Sequence, residues 1–95
     1  MSAYVIADIT VNDPEHYEEY KKLAPPAIAA YGGKYLARGG KSEKLEANWE
    51  PDRVVILKFE SIEKAKEWID SSEYNEARAL RHKTASSNMI VVEAL

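Results

Sequence analysis

An α+β fold is predicted for this chain by the order of its hydrophobic patterns. Strand-like runs lie at the N-terminus, at the C-terminus and twice in between, and helical spacings fill the gaps to give β-α-β-β-α-β. Turn and capping residues punctuate that order at each junction, as a sequence with a defined topology requires.

The first run, Ala3 to Val11, is rich in apolar and β-branched residues and stops at Asn12-Asp13-Pro14. There a side chain able to cap a helix precedes a proline in the first helical turn. From Pro14 the residues Tyr17, Tyr20, Ala24, Ala27, Ile28 and Tyr31 recur at helical spacing, and Gly32-Gly33 supplies a positive-φ stop. Pro25-Pro26 falls inside that helix, so a kink or two abutting segments are expected near Ala24. Lys34 to Gly40 reads as the second strand, followed by a long polar connection from Lys41 to Asp52 that only Leu45 and Trp49 anchor. Loops of this length are often functional.

Arg53 to Glu60 is the third strand. Ser61 then caps a helix presenting Ile62, Ala65, Trp68 and Ile69, and Asp70-Ser71-Ser72 divides it from a last helix over about Glu73 to Lys83. Ser86-Ser87-Asn88 reads as a turn into a final strand, Met89 to Leu95. With its second helix split, the order is the ferredoxin-like arrangement, expected as one domain over residues 1–95 with an antiparallel sheet.

A sheet with helices on one side and water on the other alternates apolar and polar residues. This one does not. Val5, Ala7 and Ile9 oppose Tyr4 and Ile6; Val55, Leu57 and Phe59 oppose Val54 and Ile56; Ile90 and Val92 oppose Met89 and Val91. Both faces are apolar at their centres, which predicts a homodimer joined through the open sheet faces into a closed α+β barrel. A chain of 95 residues buries a modest share of its surface alone, so association also helps stability.

Composition removes several function classes. Thirteen Lys and Arg against sixteen Asp and Glu give a net charge of −3, which opposes general binding to nucleic-acid backbones or anionic membranes. The third strand lacks the aromatic, glycine-containing pattern of an RNA-recognition fold. With no cysteine there is neither disulfide nor catalytic thiol, and an acid at Asp8 interrupts the N-terminal apolar run before it can serve as a signal or spanning segment. A cytoplasmic protein is expected. His16 and His82 are the only histidines and do not show metal-ligand spacing, so no metal or cofactor is expected.

The chemistry concentrates around Gly32-Gly33-Lys34-Tyr35-Leu36-Ala37-Arg38-Gly39-Gly40, which sets an arginine in an apolar strand between glycine pairs. By strict alternation Arg38 shares a face with Leu36, and Tyr35 and Ala37 point the other way. A guanidinium in or at the rim of a packed face needs a carboxylate or a ligand. Asp8, Glu46 and Glu93 are the candidate carboxylates for an internal ion pair. If Arg38 instead grips a ligand carboxylate or enolate oxygen, Glu46 is the candidate proton acceptor for proton transfer beside a carbonyl. In the last helix Tyr74, Arg78, Arg81 and His82 lie close by i, i+3 and i+4 spacing, with Tyr74 and Arg81 expected to turn inward. Basic residues there also complement the helix dipole.

With Gly-Gly, Tyr-Leu-Ala-Arg-Gly-Gly, Trp68, Ser71 to Tyr74 and Leu80-Arg81 in view, the whole chain resembles an uncharacterised bacterial domain-of-unknown-function family of the dimeric α+β barrel superfamily. The resemblance implies a homodimer with a cavity between helices and sheet, and places Arg38, Glu46, Trp68, Tyr74 and Arg81 on positions typical of the family. Glu46 is followed by Ala47-Asn48 where the family often has glycine. The wider superfamily includes cofactor-free monooxygenases, lactone isomerases and haem enzymes, so the fold selects no chemistry. The resulting expectation is a small polar or anionic organic ligand in a cleft lined by Tyr35, Arg38, Glu46, Trp68, Tyr74 and Arg81, with cofactor-free isomerase- or monooxygenase-like catalysis. Its alternatives are a non-catalytic binding or stress-response module and a purely structural dimer.

Overall fold

The computed structural model describes residues 1–95. Its elements run β1 (Ala3–Val11), α1 (Pro14–Ala30), β2 (Lys34–Arg38), β3 (Arg53–Phe59), α2 (Ile62–Ile69), α3 (Ser72–Thr84) and β4 (Ala85–Glu93). The strands form one antiparallel sheet in the order β2-β3-β1-β4, with the three helices on one face. This is the ferredoxin-like order with its second helix split in two.

Each helix starts where a side-chain oxygen accepts an early backbone N–H. Asp13 accepts from the His16 amide at 3.3 Å, Ser61 from Lys64 at 3.1 Å and Ser71 from Tyr74 at 3.1 Å. The Asp13 carboxylate also meets His16 Nδ1 at 2.8 Å. That contact lowers the Asp13 pKa and raises that of His16, each mainly through the side-chain hydrogen bond. The Asp13 contribution is complete above the ordinary carboxylate value of 3.8 and fades as pH falls through its lowered pKa. The His16 contribution is complete below 6.5 and fades as pH rises through its raised pKa. The pair therefore supports α1 best between those two values. Asp13→Ala is expected to return the His16 titration to its ordinary position, followed by NMR, and to lower the thermal midpoint through loss of the helix cap. An unmoved His16 titration would contradict the pairing.

α1 is one helix, so the expected division near Ala24 does not occur. Pro25 is half-buried and Pro26 exposed, so much of the disturbed turn faces solvent while Ala24, Ala27 and Ile28 remain in the core. The helix ends at Ala30 with Tyr31 as its C-cap, and Gly32 at φ +75 then turns the chain so that the Gly33 N–H reaches back to the Ile28 carbonyl at 2.9 Å. A Cβ on Gly33 would stand 2.6 Å from Ile28 and 2.7 Å from the Phe59 ring, so close packing also requires glycine there.

β4 begins four residues earlier than the serine-rich sequence predicts. Local turn propensity at Ser86-Ser87-Asn88 is overridden because β1 offers a full-length partner, pairing from Val11↔Ala85 to Ala3↔Glu93. β2 is shorter than expected, ending at Arg38 before Gly39 at φ +68.

Ala3, Val5, Ala7, Ile9, Val55, Leu57 and Phe59 face the helices and form the core with Tyr17, Tyr20, Trp68 and Tyr74. On the other face Tyr4, Ile6, Val54 and Ile56 are half-buried, while Leu36, Ile90 and Val92 are exposed. No helix is long and apolar enough to cross a membrane.

Candidate functional site

The decisive local feature is a β-bulge. Tyr35 pairs with Leu57, but Ala37 pairs with Ile56 and Arg38 with Val55, so Leu36 is an extra residue in β2. Strict alternation fails at that point. Arg38 shares the helix-facing side with Tyr35 rather than with Leu36, which is left 55% exposed. The Arg38 guanidinium carbon stands 4.6 Å from the centre of the Tyr35 ring, a cation–π contact at the mouth of the site. Arg38 is exposed and takes part in no ion pair, so the expected pairing with Asp8, Glu46 or Glu93 is absent within the subunit.

Behind Arg38 lies a cleft of about 330 Å³ between α1 and the sheet, lined by Tyr17, Tyr20 and Lys21 of α1, Tyr35 and Arg38 of β2, and Arg53 at the start of β3, over an apolar floor. No carboxylate lines it. Arg53 stands 5.7 Å from the Tyr17 ring centre. The Tyr17 hydroxyl and Arg53 Nε are both buried without a hydrogen-bond partner, a situation that costs about 1–3 kcal/mol for each group left so. Burial raises the pKa of Tyr17, opposed by the nearby Arg53 charge, and raises that of Tyr35, opposed by Arg38. Both phenols are therefore neutral donors.

Gly39 explains why the arginine is followed by glycine. A Cβ there would meet the Arg53 guanidinium, with Cζ only 2.9 Å away, and φ is +68. The glycine admits Arg53 to the site beside Arg38 while its own N–H holds the Val54 carbonyl at 2.8 Å.

A buried hydrogen-bond chain backs the cleft. Tyr20 and Tyr74 hydroxyls meet at 2.6 Å, Arg81 Nε donates to the Tyr74 hydroxyl at 3.3 Å, and Arg81 Nη1 donates to Ser87 Oγ. Arginine can only donate. With its oxygen occupied by Arg81 and no exposure to water, Tyr74 best satisfies its own hydrogen by donating to Tyr20. The Tyr20 hydrogen is then free for the cleft. Burial first, and then the neighbouring Tyr74, drive the Tyr20 pKa upward, so this phenol keeps its hydrogen.

The sequence-derived residues thus fall into three places. Tyr35, Arg38 and Trp68 line the cleft; Tyr74 stands behind it as the link to Arg81, which lines a second cavity. Glu46 lines neither. It borders a separate pocket of the 39–52 loop with Leu45, Trp49 and Val54, and Trp49 Nε1 donates to Asp8 at 3.1 Å, pinning that loop to the helix-free face of the sheet. Tyr17, Tyr20, Lys21 and Arg53 are the polar lining residues that pattern reading leaves out. The tyrosines look like ordinary core positions of α1, and the only hint of Arg53 is Gly39, whose missing side chain makes room for it.

Residues 2–95 match the family described as a domain of unknown function, DUF1330. The chain belongs to this family. No curated protein matches the DUF1330 chain in sequence. Among solved structures it is similar to a protein of unknown function from Rhodopseudomonas palustris, with 20% identity, TM-score 0.79, and coverage of 99% of this chain and 82% of that one. It is also similar to SnoaB, a cofactor-independent oxygenase from Streptomyces nogalater, at 10% identity, TM-score 0.68, and 99% and 93% coverage. A dimeric ferredoxin-like protein of unknown function from Thermobifida fusca matches at 15% identity, TM-score 0.62, and 99% and 92% coverage. At these identities the likeness establishes the DUF1330 chain as ferredoxin-like in fold.

Proposed function

We propose that this DUF1330 protein is a homodimer that binds a small organic anion in the cleft between α1 and the sheet. The observation that carries the reading is the lining itself: Arg38 and Arg53, neither of them in an ion pair, border the cleft with neutral phenols and no carboxylate, while Lys21 at its edge is paired with Glu18 at 3.2 Å. Guanidinium groups and phenol hydrogens suit a carboxylate or enolate oxygen, and the apolar floor suits a compact carbon skeleton. The purely structural reading loses support because Arg38 has no internal counter-ion. Dimerisation through the open sheet faces would cover Ile90, Val92 and Leu36, and the Thermobifida fusca relative is described as dimeric. A stable monomer at micromolar concentration in a sedimentation dilution series would remove the dimer. The cysteine-free chain suits a reducing, cytoplasmic setting.

A catalytic version of this reading is favoured by the free hydrogen of Tyr20, which with Arg38 and Arg53 would stabilise negative charge developing on an enolate. SnoaB supports cofactor-free chemistry on this fold. Glu46, which borders the separate pocket of the 39–52 loop, is not placed to accept a proton from a ligand in the cleft, so Glu46→Gln is expected to leave benzoate binding there unchanged.

Calorimetric titration with benzoate and with neutral benzamide tests the binding. Benzoate is expected to bind and benzamide not, with Arg38→Gln and Arg53→Gln each weakening benzoate by about ten- to a hundredfold, the range of one charge-assisted hydrogen bond. Equal binding of both probes, or indifference to both substitutions, would overturn the reading.

A further inference from the structure

A second cavity, of about 640 Å³, opens between α2, α3 and the helix-facing side of β4. It is lined by Lys66 of α2 and by Arg78, Arg81 and His82 of α3, again with no carboxylate, and its walls include Trp68 and Met89. Arg81 is only 4% exposed. It spends Nε on Tyr74 and Nη1 on Ser87, both neutral, and no ion pair balances its charge. A buried guanidinium without a counter-ion is costly, and helix-dipole complementarity does not require one to be buried. Arg78 reaches Asp70 at 3.1 Å through Nη1, but its Nε is buried with no partner. The Trp68 indole nitrogen, on a ring that lines this cavity, is likewise buried and unpartnered. His82 reports the same excess of positive charge: desolvation first, and then Arg81 and Arg78, hold its pKa below the ordinary value.

We infer that this cavity is a second binding site, distinct from the α1 cleft, for an amphipathic organic carboxylate whose anionic head sits on Arg81 and Arg78 and whose apolar body lies against Ile69 and Met89, in front of the buried Trp68 ring. The pairing of a cationic end with an apolar wall is what distinguishes it from a site for a bare inorganic anion, which would leave the half-buried Ile69 and Met89 uncovered. The site stands independently of the cleft. Val5, Trp68 and Met89 also line the cleft, so they form the wall shared by the two compartments.

The chain has two tryptophans, so Trp49→Phe leaves Trp68 as the sole indole reporter. In that background octanoate is expected to change Trp68 emission saturably, while octanamide at the same concentrations does not. Arg81→Gln and Arg78→Gln are each expected to weaken octanoate at least about tenfold. Arg78, being only half-buried, keeps the test valid if Arg81→Gln does not fold. The inference is overturned if octanoate gives no saturable change, if octanamide binds as well, or if Arg78→Gln leaves affinity intact. It is overturned equally if Arg53→Gln, and not Arg78→Gln, abolishes the response, because octanoate would then occupy the cleft. That last result would leave the cleft reading standing, whereas failure of benzoate binding would not touch this site.

Discussion

Replacing Trp68 by alanine is expected to destabilise the protein by about 3–5 kcal/mol, read from the urea midpoint at constant slope. The indole is 1% exposed and packs between Phe59 and Tyr74, with ring centres 5.4 Å and 4.4 Å away. Those contacts tie α2 to β3 and to α3, so the hole left by alanine is bordered by three elements and cannot close by moving one side chain. The hole would also join the two cavities that the ring separates. Trp68→Phe is expected to cost much less, because it keeps an aromatic in the stack and removes an indole N–H that has no partner. A Trp68→Ala loss below about 1 kcal/mol would mean that the interior is loose enough to collapse, contrary to the packing described.

The second large effect concerns an asymmetry between two touching phenols. Tyr74→Phe is expected to cost about 3 kcal/mol, and Tyr20→Phe about 1 kcal/mol. Losing the Tyr74 oxygen strands both the charged Arg81 Nε and the Tyr20 hydroxyl, whereas losing the Tyr20 oxygen leaves the Arg81 bond intact. Equal costs, measured under the same conditions, would show that Arg81 does not rely on Tyr74 and would remove the argument that Tyr20 presents its hydrogen to the cleft.

Much of the fold was legible because independent local signals agreed. Asp13, Ser61 and Ser71 each mark a helix start and each caps one. The absence of alternation in β1, β3 and β4 corresponds to a sheet with apolar residues on both sides. Trp68, Tyr74 and Arg81 could be read as inward-facing from helical spacing alone, since period is preserved along an uninterrupted helix. The site was less legible for two physical reasons. Alternation is a rule about strands without inserted residues, and nothing in Lys34-Tyr35-Leu36-Ala37-Arg38 announces that Leu36 is extra. Long-range approach has no period at all: Arg53 reaches Gly39, and Trp49 reaches Asp8, across chain separations that no local pattern spans. The early start of β4 has the same origin, because the pairing that overrides the turn residues is supplied by β1 from the other end of the chain.

The bulge at Leu36 makes the cleft's chemistry a matter of counting. Side chains in β2 before it and after it obey the same two-residue period, but in opposite phase, so the inserted residue works as a reading-frame shift written in space instead of in codons. Removing one residue from this strand while keeping Arg38 and Gly39 in place would carry the guanidinium through the sheet to the helix-free side, leaving the composition of the motif almost unchanged and its cleft without a mouth charge. Two chains with the same arginine and the same glycines can therefore present opposite surfaces to a ligand, and comparisons among relatives of this protein should align β2 by which residues pair with Leu57 and Val55 before they align it by letters.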